Sequence, residues 1–369
     1  MASCLCGYYL AIFAHMSYAN PTDVPAIKWW KVLLAVGFSI GISAYFIARS
    51  FHPETLSSIS FSAHLCIGLV LALVTVVVRD FAFVYKLRLS SGIQLGWWQT
   101  LKIVLMWEFG ATVTPKLGEV AFVLYILKRG GLTYGRSTAV LMLNAFFDNL
   151  AFVILFTGAY LALGEQMFLV PSNCADLKGQ EYLGRITDLA RGAWVGYFAM
   201  LGVSAFMFVS VFFLPHRARQ LFQYLSNMRL FSRFKNGLFI LGQEIEITSL
   251  EYRHKPFSFW AQMTIATLIN WSSRYLLANA LLFAFSAVPL PMGEVFAKQL
   301  IIWVFLIIPS TPGASGVAEV LFLSFNCQYM PVGLAAGITT VWRKYSYYIY
   351  LIIGAILLPR YIAGKRENN

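Results

Sequence analysis

Charged residues embedded in long apolar runs are the first feature of this sequence that could do chemistry. Arg79, Asp80, Glu119, Asp148, Arg274, Glu319, Arg343 and Lys344 all stand in such runs, with Glu108 and Lys116 beside the first of two breaks described next. A charge at membrane depth costs about 2.5–3.5 kcal/mol on insertion scales, so it normally faces a partner or a wet crevice. The breaks are Thr114-Pro115-Lys116-Leu117-Gly118-Glu119 and Pro309-Ser310-Thr311-Pro312-Gly313-Ala314-Ser315-Gly316-Val317-Ala318-Glu319. Each would expose a helix N-terminus, whose free amides and positive dipole end favour an anion. Arg274 and Arg343 can add bidentate contacts to a phosphate. Glu119 and Glu319 would hold an ammonium group or keep the arginines oriented, and either of them, or Asp148, could carry a coupling proton. The substrate-binding set expected from these residues is Pro115, Gly118, Glu119, Asp148, Arg274, Pro312, Gly313, Gly316, Glu319 and Arg343. For Arg79, Asp80 and Lys344 a structural ion pair, such as Arg79 with Asp148, or snorkelling to the interface weighs equally.

Other chemistries find little support. Gly130-Gly131-Leu132-Thr133-Tyr134-Gly135-Arg136-Ser137 approximates a phosphate loop, but Arg136 stands where lysine belongs and no strand precedes it. No His-Glu-x-x-His, dinucleotide fingerprint or cysteine nucleophile site is present. The five cysteines, Cys4, Cys6, Cys66, Cys174 and Cys327, form no CxxC pair and read as ordinary membrane cysteines. No catalytic residue, cofactor or metal is expected, and the chain is not expected to be an enzyme.

The elements that position these residues are membrane helices. Of 369 residues 59% are hydrophobic and 12% charged, with a mean hydropathy of +0.68, about half the charged fraction of a soluble domain. The net charge of +12 comes from basic residues flanking apolar spans, which points to headgroups rather than nucleic acid. Spans are expected near 29–48, 61–85, 136–162, 190–214, 258–288 and 331–357, each long enough to cross about 30 Å of hydrocarbon. The apolar stretches 100–127 and 296–325 are interrupted at their centres by the two breaks. Residues 1–19 read as an interfacial or packed segment rather than a signal peptide.

Charge bookkeeping favours treating the two interrupted stretches as re-entrant hairpins. Lys86, Arg88 and Lys102, then Lys128, Arg129 and Arg136, then the basic stretch 215–257, fall on one side only if both stretches leave on the side they entered. Lys28, Lys31, Arg360, Lys365 and Arg366 join them, and the acidic stretch 164–189 falls outside. Stretch 215–257 mixes arginines with Leu221, Phe222, Leu225, Phe231 and Phe234, as an inner-surface amphipathic helix would. The expected architecture is all-α: a polytopic membrane helix bundle of six full spans plus two re-entrant hairpins, both termini cytoplasmic, in a cell membrane of bacterial inner-membrane type. The chain reads as a single transmembrane domain over 1–369.

The halves also match each other. Arg79 lies 36 residues before Pro115 and Arg274 38 before Pro312; Asp148 lies 33 after Pro115 and Arg343 31 after Pro312. Repeats near 61–162 and 258–357 would have opposite orientations, an arrangement that places a substrate near the midplane.

The breaks carry a family resemblance. Thr114 to Glu119, followed by Lys128-Arg129-Gly130-Gly131, resembles the "P-x-x-x-G-E … basic-Gly" signature of the lysylphosphatidylglycerol synthase/flippase transmembrane family. Pro309 to Glu319 resembles that family's "P-G-x-x-G-x-x-E" signature. The resemblance spans roughly 29–357 and implies a flippase or lipid transporter, with Glu119, Arg274, Glu319 and Arg343 lining a lipid site. Only the two glutamates lie inside the matched motifs. No soluble aminoacyl-transferase domain is present, so synthase activity is not implied. Ala314 replaces a glycine often found after Pro-Gly, and Lys116 is unusual at the first tip; both leave the substrate open.

The expected function is a flippase or transporter moving an anionic or zwitterionic membrane lipid, of phospholipid or polyprenyl-phosphate type. Two alternatives stand beside it: an integral-membrane transferase acting on a polyprenyl-phosphate lipid through Asp148, Glu119 or Glu319, and a transporter of a small soluble anion. The transferase would need a donor site, and Asp176, Glu181 and Asp188 are too scattered to supply one.

Overall fold

The computed structural model describes residues 62–92, 95–114, 116–169, 186–212, 251–286, 289–307, 312–331 and 334–363, with isolated positions elsewhere. The expected span 29–48 apart from two positions, most of 215–257 and residues 170–185 of the acidic stretch therefore lie outside the described residues. The described chain is helical, with α1 Ala63–Ser90, α2 Trp97–Val113, α3 Lys116–Arg129, α4 Tyr134–Leu163 and α5 Ile186–Phe212 in the first part. The second part contains α6 Phe257–Phe285, α7 Met292–Phe305, α8 Val317–Asn326, α9 Ala335–Arg343 and α10 Ile349–Ala363. A π-helical turn, Lys344–Tyr348, joins α9 to α10.

Local chemistry sets the boundaries. Ser62 caps α1 by accepting from the Leu65 amide, and Thr133 caps α4 by accepting from that of Arg136, each satisfying a donor the first turn leaves unpaired. Thr114 ends α2 in extended conformation (φ −108°, ψ 149°), as the residue before a proline must. By length and composition three helical stretches are suited to crossing a membrane among the described residues: Ala63–Ser90, Arg136–Phe168 and Ala190–Val209. Ile67, Val70, Val74, Val77 and Phe81 form an exposed apolar stripe on α1, which suits a lipid face.

Helix α1 lies against α6 along its length, and the two run antiparallel. Gly68 meets Ala284, Asn270 donates to the Arg79 carbonyl, and Tyr85 donates to Gln262. Gly68 is needed there because a Cβ would overlap Ala284, backbone included.

Both interrupted stretches fold back on themselves. In the first, Gln99 donates to the Gly130 carbonyl, and the Phe109 and Phe122 rings meet at 6.1 Å. The ends of α2 and α3 thus lie together and Thr114 sits at the far tip. In the second, Lys298, midway along α7, donates to Tyr329 OH beyond α8 at 3.4 Å. The two hairpins open toward opposite ends of the bundle. The mouth of the first shares its end with Arg136, Tyr252 and Tyr361, through Arg129 donating to the Tyr361 carbonyl and Tyr252 donating to the Ser90 carbonyl. The mouth of the second sits by the far end of α4, where a Cβ at Gly293 would meet Leu163.

The long helices α4 and α9–α10 each pack on the hairpin of the other half. Phe152 of α4 stacks near Trp303 of α7, and Gly354 of α10 lies directly against Phe109 of α2. This exchange brings residues far apart in sequence around one centre.

Two expectations need correcting. Lys86, counted with the basic segment 86–102, is inside α1 and only 1% exposed, because the Asp148 carboxylate lies within reach of its ammonium group. Cys327 is disulfide-bonded, whereas Cys66 is a free thiol; pairing depends on proximity in the fold, which spacing alone does not reveal.

Candidate functional site

The tips of the two hairpins meet. Tyr347, in the π-helical turn, donates to the Thr112 carbonyl at the first tip (3.1 Å). Its ring also packs on Gly313 at the second tip, where any Cβ would collide with it. Gly313 adopts φ 57° and Gly316 φ 90°, conformations that glycine enters at little cost. Ala314 shares the left-handed region (φ 51°), an outlier of the kind found where surroundings fix a strained backbone. At the first tip, a Cβ at Gly118 would come within 2.9 Å of Thr114 Cβ, so glycine lets the turn close.

Arg343 locks the second tip. Its Nε donates to Glu319 Oε1 (2.8 Å), and NH2 donates to the Gly313 carbonyl and Ser315 Oγ, both at 3.1 Å. The other oxygen of Glu319 accepts from the Gly316 amide at 2.7 Å. Both oxygens of Glu319 are thus engaged in holding the turn and orienting the arginine, and of its two expected roles the geometry favours orientation over ammonium binding. The guanidinium also lies 4.3 Å from the Tyr347 ring centroid.

A second charge cluster gathers around Arg79 and reaches Tyr350, which follows Arg343 by roughly 10 Å along the helix axis. Arg79, 2% exposed, pairs with Asp80 at 2.9 Å and with Glu108 at 3.7 Å. Asp80 accepts from Tyr350 OH at both oxygens, 3.0 and 2.8 Å. Glu108 also accepts from Arg274 NH2 at 2.5 Å. Arg274 is 30% exposed, yet its Nε is buried without a hydrogen-bond partner. A guanidinium does not present itself to hydrocarbon, so this exposed edge belongs to a polar crevice.

Asp148 belongs to a third group. Its Oδ1 accepts from Lys86 at 2.6 Å and from Trp271 Nε1 at 2.8 Å, and its side chain is 29% exposed. The pairing of Arg79 with Asp148 considered above is therefore replaced by Lys86 with Asp148. Trp271 also carries the Arg274 guanidinium over its ring at 5.2 Å. Arg274 and Asp148, opposite in charge and both partly exposed, thus flank one indole.

Of the expected site residues, Glu319, Arg343, Gly313 and Gly316 form one cluster at the tip, with Pro312 opening the same 3-10 turn. Arg274 belongs to the second cluster and Asp148 to the third. Glu119 is half-buried in the first turn of α3, one residue after Gly118; Pro115 lies outside the described residues. Lys344 is exposed. Sequence reasoning did not single out Lys86, Tyr347 or Tyr350, and it noted Glu108 only for its nearness to the first break. The lysine gave no clear signal, because Arg88 two residues on reads as membrane-flanking; tyrosines carry none in so aromatic a chain.

An all-helical bundle with a lipid-suited surface, paired helical hairpins and buried charge clusters defines a multi-pass α-helical membrane protein. Residues 29–354 match the family described as "Lysylphosphatidylglycerol synthase TM region", and the chain belongs to that family. It is also similar to a "UPF0104 membrane protein" of Archaeoglobus fulgidus, 28% identical over 92 residues, a stretch covering 25% of this chain and 28% of that protein.

Proposed function

We propose that the protein is a flippase or transporter that moves an anionic or zwitterionic lipid across a cell membrane, and that it is not an enzyme. One observation carries this reading: two glycine-containing hairpin tips meet at Tyr347, bordered by buried arginine–carboxylate clusters of which Arg274 alone offers an exposed edge among the arginines paired in them. An arginine with spare donors beside an apolar path suits a phosphate headgroup whose tails remain in lipid. The partly exposed Asp148 across Trp271 would receive a cationic group on the same headgroup.

The hairpins are read as re-entrant. At 1.5 Å per residue the 17 residues of α2 and 14 of α3 reach roughly 25 and 21 Å, short of about 30 Å of hydrocarbon. The antiparallel α1 and α6, and hairpins opening to opposite ends, support reading the halves as inverted repeats. The positive charge of the end carrying Arg129, Arg136 and Lys255 supports reading that end as cytoplasmic. The disulfide at Cys327, near the opposite mouth, supports the same orientation, since disulfides persist away from the reducing cytosol.

The test is a flip assay in proteoliposomes with fluorescent or reducible phosphatidylglycerol, phosphatidylethanolamine and a polyprenyl phosphate. Wild type should accelerate at least one lipid, and Arg274→Ala should slow that lipid by at least tenfold. Rates equal to those of empty liposomes for every lipid would remove the proposal.

A further inference from the structure

We propose that Tyr275 and Gln299 are specificity-determining residues that complete the headgroup site beside Arg274, bonding a hydroxyl of the alcohol esterified to the phosphate. The inference rests on the lipid-transport reading and deepens it: the lipid taken is one whose phosphate carries a hydroxyl-bearing alcohol, not a bare phosphate.

Helices α6 and α7 pack antiparallel in steps of one turn. Asn279 Nδ2 donates to the Met292 carbonyl at 2.7 Å, the Tyr275 and Phe296 rings meet at 5.6 Å, and those of Trp271 and Trp303 at 4.9 Å. Gln299 stands three residues after Phe296 and four before Trp303, so helical periodicity sets it on the same face of α7, the face that meets α6. Tyr275 is 3% and Gln299 5% exposed. Yet the Tyr275 hydroxyl and Gln299 Nε2 have no hydrogen-bond partner among the described residues, and neither does Arg274 Nε. Burying such groups unpaired is costly, and native proteins keep few of them. Three around one helix contact mark a place where the partner comes from outside the chain.

The same atoms adjoin the exposed edge of Arg274. The Tyr275 ring lies 5.8 Å from that of Trp271, the indole flanked by Arg274 and Asp148, and both of those charges bear on the Tyr275 hydroxyl. A phosphate on Arg274 then holds its ester alcohol beside Tyr275, the next residue of α6. A hydroxyl there can accept from Gln299 Nε2 and donate to the Tyr275 oxygen, since a phenol takes either part. A bare phosphate offers no such group and leaves both side chains unpaired, which is why sites built to bond a substrate hydroxyl reject the analogue lacking it. Side chains of α7 cover both atoms in the closed contact. Their lack of partners weakens that contact relative to a looser one in which a headgroup reaches them.

Flip assays in proteoliposomes with acyl-chain-labelled phosphatidylglycerol and phosphatidic acid test this, because the two lipids share the phosphate and differ in the alcohol. Wild type should flip phosphatidylglycerol at least about tenfold faster than phosphatidic acid. Tyr275→Phe and Gln299→Leu should each bring that ratio toward one. Neither should lower the melting temperature, because each deletes an unpaired polar group and keeps the side chain's bulk. Phosphatidic acid flipped as fast as phosphatidylglycerol by wild type removes the subsite and leaves transport standing. The wild-type ratio retained in both variants does the same, as does a fall in melting temperature with both lipids slowed alike, which assigns the two side chains to folding. Wild type that flips no lipid of any kind removes the transport reading and this inference with it.

Discussion

Arg343 and Glu319 are 6% and 4% exposed and share one 2.8 Å bond, so each is the other's main counter-charge at the tip. Removing one partner of a buried pair costs about 3–5 kcal/mol, whereas replacing both by apolar groups is often neutral. Arg343→Ala should therefore lower the melting temperature in detergent sharply, and Arg343→Met with Glu319→Leu should recover much of the loss; an additive double variant would argue against the pairing. The same logic at Lys86 predicts that Lys86→Met alone destabilises more than Lys86→Met with Asp148→Leu, by about 1–3 kcal/mol in thermal unfolding. These two sites differ in how readable they were. Glu319 stands within the second break and Arg343 in an apolar run 31 residues after Pro312, so both were singled out from sequence. Lys86 lies near basic residues that do flank the membrane, and only the approach of Asp148, 62 positions later, reveals it as internal. Tyr347 and Tyr350 gave no signal because their roles depend on a hydroxyl reaching across helices.

At the level of elements, close helix approach depends on small residues where a side chain would intrude. Gly68→Leu should separate α1 from α6 and destabilise the protein, since overpacking costs about 1–3 kcal/mol or more and the obstructing atoms include Ala284 backbone. Gly313→Ala should act more locally. It adds a left-handed strain and a clash with the Tyr347 ring, and we expect slowed transport in the flip assay with the melting temperature shifted less than in Gly68→Leu. Prolines, glycines and apolar run length made most element boundaries legible: the expected 136–162 and 258–288 correspond to Tyr134–Leu163 and Phe257–Phe285. The packing of α4 and α10 on each other's hairpins was not legible, because apolar faces in lipid carry no address for their partner.

Across the whole molecule, the two hairpin mouths lie at opposite ends, and their sidedness is open to direct measurement. Single cysteines at Gly131 or Thr133 should resist membrane-impermeant maleimide added to intact cells and react after permeabilisation; labelling from outside would reverse the proposed orientation. Cys327 should become alkylatable only after reduction. The Ile349 amide bonds to the Lys344 carbonyl five residues back, so the continuous α9–α10 rod contains one wide, weakly laddered turn. Arg343 grips the second tip on one side of that turn, and Tyr350 grips Asp80 on the other, roughly 10 Å along the axis. A bend confined to Lys344–Tyr348 swings the two grips relative to each other while both hold. The rod would then work as a lever with its fulcrum between the charge clusters, transmitting a change at either one to the far face of the bilayer.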